Sequence, residues 1–162
     1  MPGEFRVLFV CTGNTCRSPM AAGVLRGLAE RRGRPGLRSI LTGSAGTFAA
    51  PGHPATAEAV RACAEQGIDL SRHRSRPLSR EILAGSDLIL VMEEAHRREV
   101  LSLDPQAASR VHLLGEFAGV EGDPEVADPI GGSLDDYRRI LGRLTGLIDR
   151  VWQKVMDRMQ GS

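Results

Sequence analysis

Lysine is nearly absent from this chain: of 21 basic residues, all but Lys154 are arginine. That bias reads as composition and not as a binding signal, because 20 acidic residues leave a formal charge of only +1. A near-neutral chain has no global pull toward nucleic acid or a membrane surface. Long apolar runs are missing too, and none approaches the ~20 residues that a membrane span needs. The start, "MPGEFRVLFVC", shows no basic region leading into a long apolar segment and does not read as a secretory signal. Cysteine is scarce: three residues, an odd number unevenly placed, make no disulfide framework. A reducing, cytoplasmic location is the expectation.

What is present suffices for one core. The 162 residues are 41% hydrophobic, and a single domain over 1–162 is expected. "FRVLFV" (5–10) reads as a buried strand. Ser18 then looks like a helix N-cap with Pro19 at the first helical position and Gly33 at the stop. Residues 37–47 read as a strand breaking into a glycine-rich loop, and 53–67 as a helix. The polar, basic stretch 69–79 reads as a solvated connector, and Ser79 as the cap of a short helix ending at Gly85. "DLILVM" (87–92) is the clearest core strand, 93–103 the helix after it, and "RVHLL" (110–114) the last strand. Residues 115–132 form a long acidic loop. Ser133 caps the final helix with Asp136 as capping-box partner, and Tyr137, Leu141, Leu144, Ile148, Val151 and Val155 make one apolar stripe along it. This alternation implies an open, mostly parallel sheet with helices on both faces, in which ligands bind beyond the carboxyl ends of the strands.

The turn "VCTGNTCRSPM" (10–20) lies at such an end and holds two of the three cysteines. Cys11 and Arg17 bracket five residues, a spacing that lets backbone N–H groups converge on one point. The following helix adds its unpaired N–H groups and positive dipole end. Gly13 and Asn14 tolerate backbone angles that other residues resist. Thr12, Gly13, Asn14, Thr15, Cys16, Arg17 and Ser18 thus form a candidate phosphate nest, and Arg17 offers a planar fork for two phosphate oxygens. A thiol at its base is expected to have a lowered pKa and to act as nucleophile, helped by a hydrogen bond from Ser18. A Walker loop and a G-x-G-x-x-G turn are absent, and Cys11, Cys16, Cys63 and four scattered histidines give no metal set. The leaving group needs an acid, and the acidic loop offers Asp123, Glu125 and Asp128 without distinguishing them. His53, His73, His96 and His112 match no ligand spacing and suggest surface or helix-end roles.

"VLFVCTGNTCRSPMA" closely resembles the signature of the low-molecular-weight protein-tyrosine-phosphatase family. The resemblance continues in order through "TGSAGT", "GHPA", "GIDLSRHRSRPLS", "DLILVM", "LLGEF" and "DPIGGSLDDY". It implies a three-layer α/β fold, a four-stranded parallel sheet flanked by helices on both faces. It also implies two-step hydrolysis through a phosphocysteine, with neither metal nor cofactor and with phosphorylated proteins as partners. A monomer is favoured. The resemblance picks Asp128 as general acid and base, since the family's acid precedes a proline, as in "ADPIGG". It also supports a protective Cys11–Cys16 disulfide as a redox switch.

Thr15 resembles the bacterial protein-arginine phosphatases within that family; members acting on phosphotyrosine usually carry a branched aliphatic residue there. Ile130 follows the Asp-Pro pair where the tyrosine enzymes tend to place aromatics, and only 4% of the chain is aromatic. With Thr15, Ile130 and Phe48 as pocket walls, a phenol ring finds little stacking surface. Phosphoarginine is the expected substrate and phosphotyrosine the alternative. Related arsenate reductases need two further cysteines in the segment around 80–92, which has none. A phosphate-binding module without catalysis is disfavoured by the complete set of nucleophile, arginine, serine and acid.

Overall fold

A computed structural model describes residues 3–33 and 38–160. Strand β1 (Glu4–Cys11) is followed by helix α1 (Arg17–Arg32), strand β2 (Ser39–Gly46) and helix α2 (Ala57–Glu65). Then come α3 (Arg80–Ala84), β3 (Leu88–Val91), α4 (Glu94–Leu103), a 3-10 turn (Pro105–Ser109) and β4 (Val111–Leu113). A short α5 (Leu114–Phe117) precedes the long α6 (Leu134–Gln160). The four strands form one parallel sheet in the order β2-β1-β3-β4. The first residue of the expected second strand, Leu37, lies outside the described residues.

Alternation along β1 divides the core. Phe5, Val7, Phe9 and Cys11 join the buried cluster built by α1, α2 and α6. Leu8 and Val10 join the one built around Leu83 of α3 and Val100 of α4. Strand β3 repeats the division, with Leu88 and Leu90 on the first face and Ile89 and Val91 on the second. Such runs, buried on both faces, are the mark of a central parallel strand. The α6 stripe from Tyr137 to Val155 is buried as expected.

Ser133 and Asp136 do form a reciprocal cap. The Ser133 N–H donates to the Asp136 carboxylate at 2.9 Å, and the Asp136 N–H donates to the Ser133 hydroxyl at 3.2 Å. Ser79 caps α3 by accepting the Ile82 N–H. Ser18 does not cap α1, which begins one residue earlier, and no side chain caps its N-cap, Cys16. The Ser18 hydroxyl is engaged elsewhere. The supposed loop from Gly115 opens instead on α5.

The order β2-β1-β3 means that the chain leaves β1 in one direction and returns on its other side. A crevice therefore opens beyond the carboxyl end of β1, where Cys11 stands.

Candidate active site

Residues 11–18 wrap that crevice. Their carbonyls are held from outside: Cys11 O by the Thr47 N–H at 2.9 Å, Thr12 O by the Phe48 N–H at 3.0 Å, and Thr15 O by the Thr56 N–H at 3.0 Å. With the carbonyls tied outward, loop N–H groups turn inward, and those of Asn14 and Ser18 reach the Cys11 sulfur. This is the anion nest that the sequence suggests.

Asn14 holds the loop in shape. It sits in the left-handed region at φ 58°, where asparagine is tolerated. Its amide donates to the Ser18 hydroxyl at 2.8 Å and to the Ser44 hydroxyl at 2.9 Å. Its side-chain oxygen accepts the Arg76 N–H at 2.9 Å, and its main-chain carbonyl accepts from His73 Nε2 at 2.6 Å. Because Ser18 Oγ accepts from Asn14, its own proton is free to point at Cys11 Sγ, 2.9 Å away. The connector 69–79 is thus not a plain solvated loop, since His73 and Arg76 brace the phosphate loop from behind.

The Cys11 thiol departs from expectation. Burial pushes it above its ordinary value. The hydroxyl and N–H of Ser18, then the Arg17 charge, then the Asn14 N–H oppose that shift without overcoming it. Cys63 lies in the core of α2, where burial pushes its thiol up to about 12. All three cysteines are free thiols. Cys16 Sγ sits 3.3 Å from the Tyr137 hydroxyl, a contact that joins the loop to α6.

Arg17 is 1% exposed. Its Nη1 donates to Glu93 Oε2 at 2.6 Å and to the Val126 carbonyl at 2.8 Å, and its Nη2 lies 3.4 Å from Asp128 Oδ2. Of the three acidic candidates, only Asp128 reaches the loop arginine. Asp123 accepts the Glu125 N–H, and Glu125 accepts the Glu94 N–H at 2.7 Å at the start of α4. Asp123 thus serves its own turn, and Glu125 serves the N-terminus of α4.

Glu93 and His96 were not among the expected site residues. His96 is buried, at the third position of α4, and its Nδ1 accepts the Glu93 N–H at 3.0 Å. Nε2 therefore carries the proton and donates to Thr12 Oγ1 at 2.9 Å. Burial and then the Arg17 charge lower His96 to about 4, so it is neutral near pH 7. The helix-end role holds for His96; the surface one does not. The Glu93-x-x-His96 spacing directly after the core strand was the available signal.

The proposed walls are less enclosed than the base. Phe48 is 87% exposed, at the edge of a cleft of ≈ 410 Å³ shared with Thr12, Thr47, Glu93, His96 and Glu99. Ile130 is 63% exposed, and its N–H donates to Asp128 Oδ1 at 3.1 Å, tying that loop together. Thr15 is half-buried, with its hydroxyl 3.8 Å from Cys16 Sγ. No metal-ligating cluster of His, Cys, Asp or Glu occurs among the described residues, and no described helix is long and apolar enough to cross a membrane.

A thiol at the floor of an anion nest, faced by an arginine and a carboxylate, defines a cysteine-dependent phosphatase site. A profile of the family described as low molecular weight phosphotyrosine protein phosphatase matches residues 6–160, and the chain belongs to that family. It is 40% identical over 152 residues to a protein-arginine-phosphatase of Geobacillus stearothermophilus, covering 93% of this chain and 96% of that one. The structure resembles that of a low molecular weight protein tyrosine phosphatase from T. tengcongensis, with TM-score 0.85, 43% identity and coverage of 93% and 99%. It also resembles a mutant of the YwlE arginine phosphatase with a phosphorylated active-site serine, with TM-score 0.85, 38% identity and coverage of 93% and 95%.

Proposed function

We propose that the enzyme hydrolyses phosphoarginine in proteins through a phosphocysteine on Cys11. The observation that carries the chemistry is the approach of Asp128 to Arg17 across the nest that holds Cys11. The substrate phosphate settles on the loop N–H groups from Thr12 to Ser18 and on Arg17. Cys11 gives up its proton to the arriving phosphate dianion as Ser18 and Arg17 stabilise the thiolate. The sulfur attacks phosphorus, the P–N bond breaks, and Asp128 in its acid form protonates the departing guanidine nitrogen. Asp128, now a carboxylate, takes a proton from water, whose oxygen attacks phosphorus and releases Cys11. No metal or cofactor enters these steps.

The walls favour arginine over tyrosine. The Asp128 loop presents Ile130 and no ring, and among the described residues Phe48 is the only Phe, Tyr or Trp lining the cleft. Thr15 offers a hydroxyl where an aliphatic side chain would offer apolar surface. The name of the Geobacillus relative points the same way, while the likeness to the T. tengcongensis tyrosine phosphatase keeps phosphotyrosine as the second reading. The proposal takes the whole chain, 1–162, as one phosphatase domain. It acts in the cytoplasm as a monomer on phosphorylated proteins, with neither nucleic acid nor membrane as partner. Cys11 and Cys16 are the pair an oxidative disulfide would close.

The test is turnover of a phosphoarginine protein beside a phosphotyrosine peptide, with wild type, Cys11→Ser and Thr15→Ile. Phosphoarginine is preferred by wild type, Cys11→Ser loses both activities, and Thr15→Ile moves the preference toward phosphotyrosine. A wild type that prefers phosphotyrosine rejects the substrate assignment and leaves the nucleophile standing.

A further inference from the structure

Behind the phosphate loop lies a second cavity of ≈ 620 Å³, between α1, the edge strand β2 and the connector after α2. Arg26, Arg31, Arg72, Arg74 and Arg76 line it, against only Glu30 and Asp69. Arg26 reaches the Asp69 carbonyl at a long 3.4 Å, and Arg74 donates to the His73 carbonyl. Arg31 and Arg72 make no hydrogen bond among the described residues, although the Arg72 charge acts on the Asp69 carboxylate. In a chain of net charge +1, so local an excess of guanidinium groups is mutually repulsive until an anion joins them. Arginine is the side chain whose planar fork suits phosphate. The volume falls in the range of small-molecule sites, and Pro19, Ile68 and Leu70 supply an apolar side.

The same wall is the back of the active site. His73, Arg76 and Ser44 line the cavity, and Asn14, the residue that sets the loop's left-handed turn, is bonded by the His73 ring, the Arg76 main-chain N–H and the Ser44 hydroxyl, while the Arg76 guanidinium donates to the Ser44 carbonyl at 2.9 Å. An occupant that draws on Arg76 or His73 acts on that turn without entering the catalytic crevice.

We propose that this cavity is a second anion site, taking a small polyphosphate, and that its occupant tunes turnover through Asn14. The experiment is calorimetric titration of tripolyphosphate into protein whose catalytic loop is already saturated with orthovanadate. One site remains, weakened about tenfold by Arg72→Ala and again by Arg31→Ala, and unaffected by the remote Arg150→Ala. Both arginines are exposed, and unchanged melting temperatures confirm that the variants fold. ATP in the same titration separates a nucleotide, which also uses the apolar side, from a bare polyphosphate. Binding that vanishes under vanadate, or that survives both substitutions, overturns the site, and it does so whether or not the phosphatase assignment stands. The coupling is read from kcat on p-nitrophenyl phosphate. Tripolyphosphate changes it in wild type and not in the Arg31→Ala, Arg72→Ala double variant; a kcat that never moves overturns the link through Asn14.

Discussion

Two residues of the site show how burial competes with neighbouring groups. Burial raises the Cys11 thiol, and the strongest opposing influence is Ser18. Ser18→Ala removes that help and leaves the burial, so alkylation of Cys11 by iodoacetamide near pH 7.5 slows by roughly tenfold. An unchanged rate means that Arg17 and the backbone alone poise the thiolate. His96 is the opposite case, a base kept neutral. Its folded value of about 4 lies below the ordinary 6.5 because of burial and Arg17, with Glu93, Asp128 and Glu125 pulling weakly upward. As pH falls, the unfolded chain takes up this proton first. The stabilising effect of a neutral His96 is therefore whole above about pH 6.5 and is lost as pH falls toward 4. Denaturant midpoints of wild type over that interval fall more steeply than those of His96→Gln, by up to about one proton equivalent. Parallel curves refute the assignment of His96 as a buried neutral base.

At the scale of elements, the strength of the local signal decided what could be foreseen. β1 and β3 were readable because their runs are short, apolar and bounded by polar residues. α6 was readable because its stripe and its Ser133–Asp136 cap agree. Ser18 was half legible: its hydrogen bond to Cys11 was expected and is present at 2.9 Å, but a serine before a proline also satisfies the N-cap pattern, and that reading failed because the hydroxyl serves Cys11 and Asn14 instead. The catalytic turn was visible as a motif, but its supports were not. His73, Arg76 and Ser44 come from two other segments and converge on Asn14 only in the fold. Gly46, at the end of β2, belongs to the same convergence. A Cβ there would collide with the Thr12 carbonyl oxygen, would stand 2.7 Å from Ala49 Cβ, and would crowd Asn14 Cβ at 3.1 Å. Gly46→Ala is expected to displace the phosphate loop and lower kcat/KM by at least about tenfold. Melting temperature falls by only a few degrees. A variant of full activity would show that the loop tolerates movement at Thr12 and Asn14.

Over the whole molecule, the loop is where separate parts of the chain meet. β1 delivers Cys11, and α1 begins at Arg17. α4 supplies His96, with Glu93 just before its first turn, and the segment before α6 supplies Val126 and Asp128. α6 itself touches Cys16 through Tyr137. The arrangement follows from topology, since the β2-β1-β3 order opens a crevice only above β1. A ligand that closes the nest therefore acts on both faces of the sheet at once. Orthovanadate, a phosphate mimic, at about 100 times its dissociation constant adds roughly 2.7 kcal/mol to the folded state if it binds there alone. For a chain of this length that corresponds to a rise in melting temperature of roughly 5–11 °C. Hydrogen exchange then slows together in 11–18, 73–76 and 126–132, since those segments share one hydrogen-bonded centre. Protection confined to 11–18 would mean that the loop binds its anion without drawing in the acid, and that Asp128 reaches the substrate by a separate closure.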